Sequence, residues 1–129
     1  MSFESEFTSC MHGSGLPTPA EAVTSAGEVF HFLDELHNAA ELAGGTEVTL
    51  GALEAAGFAG LGTLAADAAA VTAAAYAGAV AGCVIGATGS TVWDLLAQAD
   101  TSQAVVGDVV AAANDAGVEV PSKFQEEVA

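Results

Sequence analysis

Arginine is absent from this chain and lysine occurs once, at Lys123, against 17 aspartates and glutamates, for a formal charge of −16. With one lysine and no arginine the chain cannot neutralise a run of phosphates, which excludes nucleic acid as a partner. The same lack removes the polybasic flank that draws a protein to anionic membranes at rest. Cysteine is scarce too. Cys10 and Cys83 stand far apart, the second within a strongly apolar stretch, so the expectation is two unpaired thiols in a reducing compartment rather than a structural disulfide. The opening MSFESEFTSCMHGSG has neither a basic region nor an apolar run and reads as no secretory signal. The chain is therefore expected to be made in the cytoplasm, and any export to take a non-Sec route. Phosphate loop, dinucleotide fingerprint and nucleophile elbow are all missing, so no enzymatic activity and no cofactor is expected.

Apolar residues are plentiful instead, at 52% of the chain. Three readings of the acidity follow: solubility for so apolar a chain, adaptation to high salt, or a switch neutralised at low pH. Between Asp67 and Asp94 run 26 residues without a charge, AAAVTAAAYAGAVAGCVIGATGSTVW. As one helix they would reach roughly 39 Å, enough to cross the ~30 Å hydrocarbon core of a bilayer. Gly78, Gly82 and Gly86 recur every fourth residue and fall on one side-chain-free stripe, which another helix can approach closely. Ten alanines and four glycines make partition into lipid marginal, pointing to conditional insertion or tight helix packing. Trp93 closes the stretch with a residue that favours the bilayer interface.

Taken in order, residues 1–17 show no periodicity and are expected to form a flexible arm ahead of one helical domain, 18–129. Thr18-Pro19-Ala20-Glu21 combines a capping hydroxyl, a proline at the first helical position and a glutamate three residues after the cap. The amphipathic helix it opens, 18–44, carries Ala22, Ala26, Val29, Leu33, Leu36, Ala40 and Ala43 on one face and stops at Gly44-Gly45. Thr46 or Thr49 caps the next helix, thinned by Gly57, Gly60 and Gly62. With a longer helix over about 64–87 it would form an apolar hairpin within 48–96. Gly89 is a stop, Ser90 or Thr91 a cap for a short helix holding Trp93, and Thr101 or Ser102 the start of a last helix. That helix carries Ala104, Val105, Val109, Ala112 and Ala113 before Gly117, and the segment 101–129 ends in a tail turned by Pro121. No run alternates with period two. The fold class expected is all-α, a small helical bundle with an Ala/Gly-rich apolar hairpin and an amphipathic N-terminal helix.

Chemistry-bearing clusters are thin. His31, Asp34, Glu35 and His37 lie close in sequence, and Asp34-x-x-His37 has the spacing of a di-iron carboxylate–histidine pair. Such a site needs the motif twice and two further glutamates, and no second copy exists. A metal-binding helix using His31, Asp34 and His37 thus stands only as an alternative, with a zinc site from Cys10 and His12 behind it; no metal is expected. Glu54, Asp67 and Asp94 are the candidate pore-lining or pH-sensing carboxylates, since they would be costly in lipid unless they faced water or were protonated.

A short chain with Gly78, Gly82 and Gly86 in an Ala-rich apolar hairpin, beside a soluble amphipathic flank, resembles the small glycine-zipper effectors that permeabilise membranes and are delivered between bacteria by contractile secretion machines. The resemblance implies a lipid bilayer target, the recipient's inner membrane, with an immunity protein or a secretion chaperone as protein partner. The function expected is membrane permeabilisation: helix 19–43 masks the hairpin, releases it, and copies form a homo-oligomer through Gly78, Gly82 and Gly86, with Gly57 and Trp93 assisting. The alternative is a non-enzymatic self-assembling structural or adaptor bundle, in which the glycine stripe is a subunit contact.

Overall fold

Among the described residues, four helices begin where a hydroxyl satisfies an N–H that the helix itself cannot. Ser25, Thr49, Thr72 and Ser102 sit in extended backbone, and each side-chain oxygen accepts from the amide three residues on, at Glu28, Ala52, Ala75 and Val105. A computed structural model describes residues 3–16, 18, 25–45, 47–57, 69–99 and 101–122. Among these, six α-helices form an all-α bundle: α1 (Phe3–Gly13), α2 (Ala26–Ala43), α3 (Leu50–Ala55), α4 (Ala73–Thr88), α5 (Val92–Ala99) and α6 (Gln103–Ala116). Glycine closes α2, α4 and α6 at Gly44, Gly89 and Gly117, as the sequence indicates. Gly117 is left-handed, at φ 75°, and its N–H returns to Ala113 and Asn114.

The apolar stretch supplies the centre. α4 packs against α6, α1 and α2, burying Tyr76, Val80, Val84 and Ile85. α2 contributes Val29, Phe30, Phe32, Leu33 and Leu36, and α6 contributes Val105, Val106 and Val109. Each such side chain, fully buried, favours folding by about 1.5–3 kcal/mol before entropy is counted. The Phe32 and Tyr76 rings meet edge to face, 6.2 Å between centroids, and join α2 to α4. α2 buries more than the expected stripe because α4, α5 and α6 all contact it. Ala43, at the end of that stripe, is exposed, and Ala22 lies outside the described residues.

Several expectations are corrected. Residues 1–17 are not an arm without structure: they hold α1, whose Phe7 and Met11 are buried, with Phe3 packed beside them. Phe3, Phe7 and Met11 recur every fourth residue and make a stripe that the intervening Ser, Glu and Thr obscure. Cys10 and Cys83 are joined in a disulfide that ties α1 to α4, so neither is a free thiol. Ser25 is extended, at φ −146°, which breaks any continuous helix from 19 to 43 and moves its start to Ala26.

The long hairpin also changes. α3 is only six residues long, and α4 begins at Ala73 because Thr72 caps it, with Ala69 and Ala70 in a turn before it. The two helix starts are clipped together by Leu50 N–H to Val71 O, Gly51 N–H to Ala69 O and Ala73 N–H to Val48 O. At this clip the backbones come too close for a side chain. A Cβ on Gly51 would stand 3.1 Å from both Cβ and O of Ala69. Gly51→Val is therefore expected to lower stability by about 1–3 kcal/mol, the usual cost of overpacking. A urea unfolding midpoint unchanged from wild type would contradict that close approach.

Candidate functional site

An α-helix with apolar residues all round needs cover all round, and α4, packed against α1, α2 and α6, lacks it along one face. Its outward face is built from Ala74, Ala75, Gly78, Ala79, Gly82 and Gly86, all exposed or half-buried. Added Cβ atoms on Gly78, Gly82 and Gly86 would meet nothing within 4 Å. The stripe is thus an open, neutral furrow whose floor is backbone, and the packing of the described bundle makes no use of it. Hydroxyls at its ends are turned inward: Thr72 caps α4, and Thr88 Oγ1 donates to Val84 O at 2.7 Å.

The other expected site residues sit apart. Gly57 follows α3 with φ 101°, so it serves the turn that leaves the helix rather than a helix face. Trp93 lies in the core at 7% exposure, its Nε1 donating to Glu119 O at 3.0 Å and tying α5 to the chain beyond α6. Glu54 is exposed on α3, and Asp94 is exposed in the first turn of α5, where a carboxylate complements the helix dipole. Asp67 falls outside the described residues.

The histidines do not gather a metal. His31 pairs with Glu35 on the exposed side of α2, at 3.4 Å, whereas His37 turns to α6, placing Nε2 2.5 Å from Asp108 Oδ2. No group of three or more His, Cys, Asp or Glu side chains suited to a metal occurs among the described residues. The Cys10–Cys83 bond also removes both sulfurs from any nucleophilic or zinc-binding role.

The His37–Asp108 pair is instead a half-buried clasp between α2 and α6. The hydrogen bond to Asp108 holds the His37 pKa above its usual 6.5, against the opposing effect of burial and with help from the charges of Asp108, Asp34 and Glu41. A proton bound more tightly in the folded state stabilises it as pH falls. The clasp's contribution is full below 6.5 and is lost as pH rises through the raised folded value. Asp108→Asn is accordingly expected to cost more stability near pH 6 than near pH 9, read as the difference in urea midpoint from wild type at each pH. An equal loss at both would show that the pair is not titrating.

Two features escaped the sequence reading. Leu42 is 91% exposed, the large hydrophobic side chain that the described surface leaves bare. It borders an open groove of about 340 Å³ lined by Ala39, Ala43, Leu53, Ala56 and Gly57. A signal existed, for Leu42 stands off the apolar stripe of α2 and had no core to enter. The His37–Asp108 clasp spans 71 residues and left no local trace. Compared with protein-family models, with curated proteins and with solved structures, the chain has no match in any of the three.

Proposed function

We propose that this protein is a non-enzymatic, self-assembling helical bundle whose subunits meet through the outward face of α4. The observation that carries the reading is the coincidence of three glycines, spaced for one helix face, with a surface that the bundle leaves open. Glycine in a helix interior costs about 1 kcal/mol relative to alanine, and no neighbour in the described bundle requires its small size here. A helix from a second copy would, because each missing Cβ lets two backbones approach and make van der Waals contact along their length.

Charge supports a copy as occupant. At −16 per chain, a carboxylate-bearing face repels its own duplicate. The furrow lies in the stretch without charge, so two copies can appose it in an isologous contact. Residual repulsion between the bodies is screened over about 8 Å at physiological salt. Sedimentation over a range of concentrations tests the reading: the wild type associates, and Gly82→Leu, whose side chain projects from the furrow, stays monomeric and folded.

Membrane permeabilisation is the second reading. It is favoured by the segment Ala73–Ala99, 27 residues long with a mean hydropathy of 1.4 over its most apolar window, although the core helix of a bundle meets the same test. α4 alone, at 16 residues, spans only about 24 Å. Insertion would also have to carry α1, with Glu4 and Glu6, along on its disulfide. Flotation with liposomes at about pH 7 and about pH 5 separates the two readings, since an assembling bundle stays in the soluble fraction at both.

A further inference from the structure

We propose that Cys10–Cys83 is a redox latch: reduction frees α1 from α4 while the rest of the bundle stays folded. α1 is held by two buried side chains, Phe7 and Met11, by partly buried Phe3, and by one covalent bond. Ordering an eleven-residue helix costs backbone and side-chain entropy, which these few buried groups must offset. Glu4 and Glu6 add a charge cost, since they bring two more negative groups to a chain already at −16. The remaining core does not depend on α1 in the same way, because α2, α4 and α6 contact one another directly.

The bond makes the difference. With it formed, α1 cannot leave α4; without it, docking rests on the buried side chains alone. A dithiol supplies the two electrons of reduction. One of its thiolates attacks a sulfur of the bond, forming a mixed disulfide and releasing one protein thiolate. The second thiolate then closes the reductant's own disulfide and releases the other, so two electrons pass to the protein and both thiolates take up protons. Undocking uncovers Phe7 and Met11 on α1, and on α4 the surface around Cys83 to which α1 is tied. The latched state belongs to an oxidising compartment and the open state to a reducing one.

Hydrogen–deuterium exchange on the full chain tests this, comparing the oxidised protein, the same protein in excess dithiothreitol, and the Cys10→Ser/Cys83→Ser double variant without reductant. The double variant reads the open state even where a buried disulfide resists the reagent. In both open forms, amides of residues 3–13 are expected to exchange on the order of 100-fold faster than in the latched form, with α2 and α6 nearly unchanged. Equal protection of 3–13 in all three samples would overturn the latch. So would loss of protection throughout the open forms, which would make the bond a staple of the whole fold, or alkylation of both cysteines in the unreduced protein. The readout is exchange within one chain, so this result and the fate of the α4 contact are independent.

Discussion

Replacing Gly78, Gly82 and Gly86 together with alanine is expected to raise the stability of the monomer by about 2–3 kcal/mol, and with it the melting temperature by roughly 6–12 °C. Gly78 and Gly82 sit in the interior of α4 and Gly86 in its last turn, so alanine removes the entropy penalty of an unrestrained residue at each. Each new methyl enters open space, so nothing is displaced. The same three methyls push apart any helix seated in the furrow and weaken association. A gain in stability bought at the expense of function is the pattern expected where a sequence departs from a local rule for a purpose. If the triple variant were instead less stable, the glycines would be filling a need inside the bundle, and the furrow would lose its claim to a partner. Thermal unfolding at low protein concentration, where subunits are dispersed, reads the intrinsic term.

Phe32→Ala is expected to have the largest destabilising effect, about 3–5 kcal/mol, enough to unfold much of a bundle this size. The ring is buried at 2% exposure, and it contacts Tyr76 edge to face at the junction of α2 and α4. Its loss leaves a cavity that α4, held by α1 and α6 on its other sides, cannot collapse to fill. Burial also pushes the Tyr76 hydroxyl pKa up, so that side chain stays neutral and adds no charge to the interface. Circular dichroism against temperature measures the loss. The variant also bears on the membrane reading. If α2 is a mask over an insertion-ready helix, loosening this contact promotes vesicle binding; if α4 is a core helix, it yields only unfolding or aggregation.

Much of this architecture could be read from local chemistry. Thr49 and Ser102 were among the expected caps, Gly44, Gly89 and Gly117 were the expected stops, and the stripe of Ala26, Val29, Leu33, Leu36 and Ala40 is buried as its spacing implies. Gly78, Gly82 and Gly86 lie on one face of one helix, as their period requires. What could not be read depends on distance in sequence or on competing local signals. Cys10 and Cys83 are 73 residues apart, and only the docking of α1 on α4 brings their sulfurs together. Thr72 stands between two runs of alanine, Ala68–Ala70 and Ala73–Ala75, whose equal helix propensity marks no start, and its capping hydroxyl decides where α4 begins. Trp93 looked like an interface residue because composition shows its amphipathic character but not Glu119, whose carbonyl takes its N–H. Ser25 shows the reverse case, a cap within an already convincing helical pattern that Thr18 and Pro19 seemed to open first.

The clasp and the open face also constrain how acid acts on the molecule. The protonated form of His37 is the one Asp108 holds, so this pair favours docking of α2 on α6 as pH falls toward 6.5. Loss of mutual repulsion among carboxylates at low pH favours association of copies as much as entry into lipid.

Sedimentation equilibrium of wild type and Gly82→Leu, side by side at physiological salt, tests the central claim most directly. The account predicts a wild type whose mass rises with concentration toward a dimer or larger, and a Gly82→Leu variant that keeps the monomer mass with its helical spectrum intact. A wild type that stays monomeric at every concentration, or a variant that assembles just as well, would contradict it.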